Sequence, residues 1–273
     1  MEQKKVKIKI NNQQYLVNEG ENILHFCKTI GIDIPAFCYH EALKPYGACR
    51  LCIVEVKGGN VRPGITTSCT LKASEGLEIL TDTEEIQRHR KILFQFYLAQ
   101  APNSKVVKDF AAKYGVTDTP FTPKHRENDN LGGECVLCGL CVRVCNEIIG
   151  QGVINYTGRG YLSRITTAYS VPNESCLGCK ACAEVCPTGA IKFEDLENVR
   201  VAKSWSETKI PLKQCKVCGQ YYASEPFEDE VLKKMDPQLA DELKDMCPSC
   251  RRKAMSKKQV AIKEHNFAIL NLK

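Results

Sequence analysis

Two stretches, CVLCGLCVRVC (135–145) and CLGCKACAEVCP (176–187), decide how this chain folds. Each reads Cys-x2-Cys-x2-Cys-x3-Cys, and the second ends in Cys186-Pro187. Three thiolates spaced three positions apart on a tight loop can hold three corners of a [4Fe-4S] cube, but the fourth cysteine lies beyond their reach. The two stretches therefore predict two cubes, each of which takes its fourth ligand from the other run.

This interleaving gives a definite ligand assignment. The first cube takes Cys135, Cys138, Cys141 and Cys186, and the second takes Cys176, Cys179, Cys182 and Cys145. A pair of zinc sites is the alternative, because Cys-x2-Cys also occurs in zinc-binding loops. Zinc sites use two thiolates per loop, however, so a third and fourth cysteine would have no tetrahedral purpose. The pattern favours a bacterial 2x[4Fe-4S] ferredoxin domain over residues 134–195.

Four further cysteines stand nearer the N-terminus in a different pattern. They are Cys38, Cys49, Cys52 and Cys69, spaced Cys-x10-Cys-x2-Cys-x16-Cys. Plant-type ferredoxins use Cys-x4-Cys-x2-Cys and a distant fourth cysteine. Here the first gap is longer, but a long loop would again carry three thiolates and a strand the fourth, so we expect a [2Fe-2S] cluster. Zinc is the alternative, although only one Cys-x2-Cys pair is present.

The segments around these cysteines predict an α+β fold with a β-grasp sheet. Residues 6–10 and 14–17 alternate apolar and polar side chains around Asn11-Asn12, which is a hairpin signal. Apolar spacing predicts helices over 21–30, 83–100 and 105–114, and strands over 52–56, 66–69 and 77–80. We expect residues 1–100 to form the [2Fe-2S] domain with its following helix, and 101–133 a helix and linker.

A third cysteine pattern lies near the C-terminus. Cys215-x2-Cys218 and Cys247-x2-Cys250 form two knuckles, which suit a four-thiolate tetrahedral site. We favour zinc over another iron-sulfur cluster, because neither knuckle has a third cysteine nearby. Residues 196–273 are predicted to be a zinc-ribbon-like module with a helical stretch at 237–244 and a basic helical tail. Of the 17 cysteines only Cys27 is then left, and its place on an apolar helix face indicates a small buried residue.

The motifs IPAFC (34–38), GACRLC (47–52) and TSC (67–69) resemble the N-terminal ferredoxin part of the large iron-sulfur subunit of complex I. The same part opens iron-only hydrogenases, many formate dehydrogenase catalytic chains and the diaphorase iron-sulfur subunit of NAD-reducing hydrogenases. CVRVCNE (141–147) and GRG (158–160) are similar to that family as well, so the resemblance covers residues 1–194.

In one respect the chain departs from many members of that family. They bind a further cluster through one histidine and three cysteines between the other motifs. Between Cys69 and Cys135 this sequence has His89 and His125 but no cysteine, so that cluster cannot form from these residues. His89 is then interpreted as a residue of a polar helix face, and His125 as a linker residue.

Length and composition limit the number of domains and the cellular compartment that we expect for this protein. A length of 273 residues allows about one to three domains. There is no apolar run of about eighteen residues, so direct membrane insertion is not expected. Residues 1–10 lack the apolar core of a secretory signal, and the many reduced cysteines predict a cytoplasmic, oxygen-poor setting.

The missing motifs indicate a role in electron transfer without a catalytic site. No dinucleotide-binding glycine pattern is present, so flavin and nicotinamide are expected on partner chains. The leading hypothesis is an electron-transfer subunit of a multi-subunit, cytoplasmic NAD(P)H-linked oxidoreductase of the hydrogenase, formate dehydrogenase or electron-bifurcating type. It would relay electrons between a flavin subunit and another redox partner, such as a ferredoxin.

Two other functions are less favoured by the sequence. A free polyferredoxin carrier is the main alternative, but such carriers are usually small and acidic, whereas this chain is large and has a net charge of +6. The basic tail could also suit nucleic acid, but aromatic residues are not interleaved with it after Arg251, apart from Phe267. We therefore expect no nucleic-acid partner.

Overall fold

In the computed structural model of the protein, residues 4–123 and 129–257 are described. His125 and residues 258–263 of the predicted basic tail lie outside these ranges. The chain divides into two compact units. Of the described residues, the first contains 4–123, 129–166 and 181–191, and the second contains 167–180 and 192–257.

The first unit is built on a five-stranded sheet. Its strands are β1 (Lys5–Ile10), β2 (Gln13–Asn18), β3 (Ile53–Lys57), β4 (Gly64–Thr67) and β5 (Leu77–Leu80). They are arranged in the order β2-β1-β5-β3-β4, with β1 antiparallel to β2 and parallel to β5. The predicted hairpin forms, and Asn11 and Asn12 both have positive φ, as a two-residue turn of this kind requires.

One helix, α1 (Ile23–Thr29), packs against this sheet. Asn22 caps it by accepting a hydrogen bond of 3.0 Å from the His25 N–H, so the helix begins two residues later than predicted. Its buried face includes Cys27, which is fully buried in the sheet core as expected. Burial raises the pKa of the Cys27 thiol to about 11, so this cysteine stays protonated.

Two further helices follow the sheet, α2 (Glu84–Gln100) and α3 (Lys105–Lys113). Both start at predicted positions, with Thr83 and Ser104 as caps. Not every apolar residue of α2 is buried, because Phe96 is 50% exposed and stacks on Phe121. The buried face contains Ile86, Arg90, Phe94, Leu98 and Ala99. Apolar residues lie on two adjacent stripes of this helix, and periodicity could not tell which one faces the core.

The cysteine-rich part contains only short elements. They are α4 (Leu140–Arg143), a π-helical turn (Val144–Ile149), β6 (Ile154–Thr157), β7 (Arg164–Thr167) and α5 (Ala181–Glu184), and β6 pairs with β7. The strand predicted over 66–69 was also partly wrong. It ends at Thr67, and Cys69 lies in the turn that follows.

The second unit has its own sheet, which the sequence analysis did not predict. Its strands are β8 (Glu194–Leu196), β9 (Val199–Ala202), β10 (Thr208–Gln214) and β11 (Tyr221–Ser224), in the order β11-β10-β9-β8. It is followed by α6 (Glu225–Lys233), α7 (Pro237–Leu243) and a helical segment over 248–257. Trp205 is buried in this unit, and the predicted helix at 237–244 is present. Among the described residues, none of the helices has both the length and the apolar character that a membrane span requires.

This second sheet holds the loop 176–180, which carries two of the cysteines. The Arg200 side chain is buried, donates to the Gly178 carbonyl oxygen at 2.6 Å and forms a two-point ion pair with Asp195 at 2.7 and 2.9 Å. Ser224 Oγ donates to the Leu177 carbonyl oxygen. Gly178 has φ +62°, and a Cβ there would lie 3.2 Å from Ser224, so the loop passes close to β11.

We therefore expect Arg200→Met to loosen this loop. The variant loses charge-assisted hydrogen bonds worth about 2 kcal/mol together, and it leaves the Gly178 carbonyl without its guanidinium donor. Hydrogen exchange followed by mass spectrometry should show faster exchange over 176–180. The control is Arg252→Met, which removes an exposed arginine of the same unit. Equal exchange in the two variants would contradict this role of Arg200.

Candidate functional site

The four N-terminal cysteines come together in the first unit. Cys38 lies in the loop after α1, Cys49 and Cys52 lie on the loop before β3, and Cys69 lies in the turn after β4. All four are buried, with at most 4% of each residue exposed. Gly47 lets the chain turn closely beside these cysteines. It has φ +68°, and a Cβ there would lie 3.3 Å from the Thr70 side chain.

These four thiols form two neighbouring pairs, Cys38 with Cys49 and Cys52 with Cys69. The hydrogen bond from the Cys38 thiol, helped by backbone N–H donors, lowers the pKa of Cys49 to about 6. Backbone N–H groups reach both sulfurs of the first pair, from Phe37 to Cys49 Sγ at 3.4 Å and from Cys49 to Cys38 Sγ at 3.3 Å. Two thiolates for each of two irons, with amide donors to sulfur, fit a [2Fe-2S] cluster.

The cysteines assigned to the first cube surround one cavity of the same unit. Its lining consists of the four cysteines and mainly apolar residues: Cys135, Cys138, Cys141, Cys186, Leu131, Val136, Ile165, Thr188, Ala190 and Ile191. Burial raises the pKa of Cys138 to about 12 and raises that of Cys141 as well. These sulfurs would therefore carry negative charge only when bound to a cation, which is the role that iron has in a cube.

The cysteines assigned to the second cube are all partly exposed. Cys145 lies in the π-helical turn and Cys182 in α5, both in the first unit. Cys176 and Cys179 lie on the loop 176–180 of the second unit. The assignment of these four to one cube remains a prediction.

One turn of α2 contacts two of the ligand loops. Tyr97 Oη donates to the Cys49 carbonyl oxygen at 3.0 Å, and Gln100 Nε2 donates to the Cys135 carbonyl oxygen at 3.1 Å. Cys38 and Cys49 are buried in the same apolar cluster as Val136, and Cys138 packs against it. Burial and the nearby thiols of Cys49, Cys38 and Cys138 raise the pKa of the Tyr97 hydroxyl. The binuclear site and the first cubic site thus share one core.

Tyr97 and Gln100 lie within the helix predicted over 83–100. No sequence signal marked their contacts, because the carbonyl groups that they reach lie 48 and 35 positions away along the chain. His89 lies away from these sites on an exposed face of α2, 3.7 Å from Glu85, in agreement with its predicted polar position.

The C-terminal cysteines form a compact tetrad. The sulfur atoms of Cys215, Cys218, Cys247 and Cys250 all lie within 4.8 Å of one another. The Cys218 and Cys247 sulfurs are 3.8 Å apart. With metal–sulfur bonds of about 2.3 Å, tetrahedral geometry places sulfurs about 3.8 Å apart. A cube would hold its thiolates farther apart, because iron and sulfide lie between them, so the spacing fits a single ion.

Backbone and charged groups support this tetrad. The Cys247 N–H donates to Cys215 Sγ at 3.2 Å and lowers the pKa of Cys215 to about 6. Glu228 is 4% exposed and accepts hydrogen bonds from Tyr222 Oη, at 3.0 Å, and from Arg251. This buried ion pair could not be predicted from the sequence, since acidic and basic residues are common throughout the segment.

We expect the tetrad to bind one metal ion per chain, and Cys218→Ser to weaken that binding. The Cys218 side chain is exposed, so its substitution changes a ligand and little core packing. Because a structural ion contributes about 10 kcal/mol or more to folding, a chelator should lower the unfolding temperature of the second unit more readily in this variant. Cys27→Ser is the control and should keep the full metal content, as measured by elemental analysis. An unchanged metal content in Cys218→Ser would count against the tetrad as the binding site.

Comparison with known proteins places the first two cysteine groups in known domains. Residues 3–84 match the 2Fe-2S iron-sulfur cluster binding domain, and residues 134–190 match the 4Fe-4S dicluster domain. The chain is 29% identical over 207 residues to an NADH-quinone oxidoreductase subunit of Rhizobium meliloti (strain 1021), covering 68% of this chain and 24% of that protein.

Other similar proteins include the NADP-reducing hydrogenase subunit HndD of Solidesulfovibrio fructosivorans, 27% identical over 67% of this chain and 35% of the relative. An NADH-quinone oxidoreductase subunit of Rickettsia felis is 28% identical over 68% of this chain and 30% of the relative. The chain therefore spans about a quarter to a third of the length of the curated relatives it matches.

Among solved structures, a chain of the NAD+-reducing [NiFe]-hydrogenase in the H2-reduced state matches with a TM-score of 0.56 and 25% identity. The match covers 67% of this chain and 85% of that one. The resemblance seen in the sequence motifs is confirmed. This chain joins a 2Fe-2S iron-sulfur cluster binding domain to a 4Fe-4S dicluster domain, and over two thirds of its length it is similar to subunits of NADH-quinone oxidoreductases and of NAD- and NADP-reducing hydrogenases.

Proposed function

We propose that this chain is an electron-transfer subunit of a multi-subunit, cytoplasmic NAD(P)H-linked oxidoreductase. It relays electrons between a flavin-bearing subunit and another redox partner. The observation that carries this proposal is the apolar core that contains Cys38 and Cys49, two of the binuclear thiols, and reaches Cys138 of the first cubic site. The relatives, which are named as subunits of NADH-quinone oxidoreductase and NADP-reducing hydrogenase, support the NAD(P)H link.

In this proposal twelve cysteines hold the clusters. Cys38, Cys49, Cys52 and Cys69 hold a [2Fe-2S] cluster, Cys135, Cys138, Cys141 and Cys186 one [4Fe-4S] cube, and Cys176, Cys179, Cys182 and Cys145 the other. Each cluster supplies a one-electron redox centre. The pairing of the binuclear thiols and the cavity shared by four cysteines of the dicluster domain support the first two assignments.

The residues between the first two sites suit direct electron exchange. Val136 belongs to the apolar core that contains Cys49, and Cys138 packs against that core, so little water separates the two sites. Tyr97 and Gln100 hold the two ligand loops to the same helix turn, which fixes their separation. Since the chain lacks the histidine-and-three-cysteine motif between the two domains, this packed core offers the route from one site to the other.

The C-terminal tetrad has a structural role in this proposal. We assign Zn²⁺ to Cys215, Cys218, Cys247 and Cys250, in a zinc-ribbon-like arrangement. The sulfur spacing supports a single ion, and three of the four cysteines are buried, as in structural zinc sites that lack an open coordination position. The ion would hold the β10–β11 turn to the helical segment over 248–257.

Anaerobic purification tests the relay. The isolated chain should contain acid-labile sulfide and should be reduced by dithionite but not by NAD(P)H. NADH or NADPH should reduce its clusters only when a co-purified flavin-bearing subunit is present, because the chain lacks a dinucleotide-binding motif. A colourless chain without sulfide, or NAD(P)H oxidation by the isolated chain, would overturn the proposal. Gel filtration of native lysate distinguishes this proposal from a free polyferredoxin carrier. A subunit should elute together with its partners, whereas a free carrier would elute as a single chain.

The cube assignments predict which cysteine variants alter the same [4Fe-4S] signal. Cys141→Ser and Cys186→Ser should alter one [4Fe-4S] signal in electron paramagnetic resonance spectra, and Cys145→Ser and Cys176→Ser the other. Each variant should lose about one cube's iron, while the [2Fe-2S] signal stays. Cys27→Ser, which changes no predicted ligand, is the control. If Cys186→Ser grouped with Cys176→Ser instead, the interleaved assignment would be wrong.

A further inference from the structure

A buried arginine lies beside the binuclear site. Arg90 projects from the core-facing side of α2 and is only 2% exposed. Its guanidinium donates three hydrogen bonds to carbonyl oxygens, to Leu51 at 3.1 Å, to Ile53 at 2.8 Å and to Thr81 at 3.1 Å. Within the described part of the chain, none of these hydrogen bonds reaches a carboxylate. A buried positive charge without a close negative partner is costly, which suggests that it has a function.

The position of this charge points to the cluster. Two of the three carbonyls belong to Leu51 and Ile53, the residues on either side of Cys52. Burial lowers the pKa of Arg90, while Tyr114, Asp82 and the Cys52 thiolate act in the opposite direction. Asp82 is exposed and is bound to Gln87, and Tyr114 presents its ring face 5.8 Å from the guanidinium carbon. An arginine stays protonated in such surroundings, so its positive charge faces the ligand loop.

We propose that Arg90 raises the reduction potential of the binuclear cluster. Four thiolates and two sulfides outweigh the charge of two ferric ions, and the added electron makes the cluster one unit more negative. In a core from which water is excluded, a nearby fixed cation stabilises the reduced form more than the oxidised form. Arg90 thus holds the backbone around Cys52 through hydrogen bonds and tunes the cluster through its charge. The inference rests on the [2Fe-2S] cluster of the proposed function.

A redox titration followed by electron paramagnetic resonance tests this inference on the full chain, with dithionite as the electron source. Arg90→Gln should lower the equilibrium constant for reduction of the [2Fe-2S] cluster about tenfold, which is about 59 mV for one electron. Arg90→Lys keeps a cation and should shift it much less. Arg88→Gln removes an exposed arginine of the same helix and should leave it unchanged. Equal shifts in Arg90→Gln and Arg90→Lys would assign the effect to the lost hydrogen bonds and overturn the charge proposal.

A second pair of variants leaves Arg90 in place, in case Arg90→Gln does not fold. Tyr114→Glu puts a carboxylate beside the guanidinium, whereas Tyr114→Gln puts a neutral group of the same size there. Only the glutamate variant should lower the potential, because it cancels the buried charge. Equal potentials in these two variants would overturn the inference. A wild-type chain without any [2Fe-2S] signal would instead contradict the proposed function, so the two failures are distinguishable.

Discussion

The first unit depends on hydrogen bonds that tie its cysteine loops to α2. Loops that carry clustered thiols have few backbone partners of their own, because they form neither a helix nor a strand over most of their length. Tyr97 and Gln100 supply side-chain donors to the carbonyls of Cys49 and Cys135, and Arg90 supplies donors on the other side of the first loop. A single helix therefore fixes both the shape of the binuclear loop and its distance from the first cubic site.

In the second unit, too, side-chain donors hold loops by hydrogen bonds to their backbone carbonyl groups. Arg200 donates to the carbonyl of Gly178 in the loop 176–180, and Arg251 donates to that of Leu243 near the C-terminal tetrad. In both cases the guanidinium is also paired with a carboxylate, Asp195 or Glu228. Arg90 differs from these two because, among the described residues, its hydrogen-bond partners include no carboxylate. This difference suggests that Arg200 and Arg251 mainly stabilise the fold, whereas the charge of Arg90 acts on the site.

Cysteine spacing and local sequence pattern predicted those features whose physical cause lies within a few residues. The Asn11-Asn12 turn and the helices predicted over 83–100, 105–114 and 237–244 follow from adjacent residues, and the structure contains them to within one or two residues. Features were missed where contacts between residues far apart in the chain determine the structure. The buried stripe of α2 depends on what lies opposite it, and helical spacing alone does not show that Phe96 is half exposed. The sheet β8–β11 was missed because its strands are short, partly charged and interrupted by Pro211.

The sequence by itself determined that this protein carries a 2Fe-2S domain and a 4Fe-4S dicluster domain. Thiolate spacing along a loop sets how many corners of a cluster can be reached, and this constraint is local and discrete. Only the tertiary structure decided which sites lie close together and which side chains act on them. A hydrogen bond from Tyr97, Arg90 or Arg200 to a carbonyl leaves no mark in the sequence, since every residue has a carbonyl and only the folded chain selects one. The identity of the clusters is therefore readable from residue types, whereas their coupling and electrostatic surroundings depend on packing.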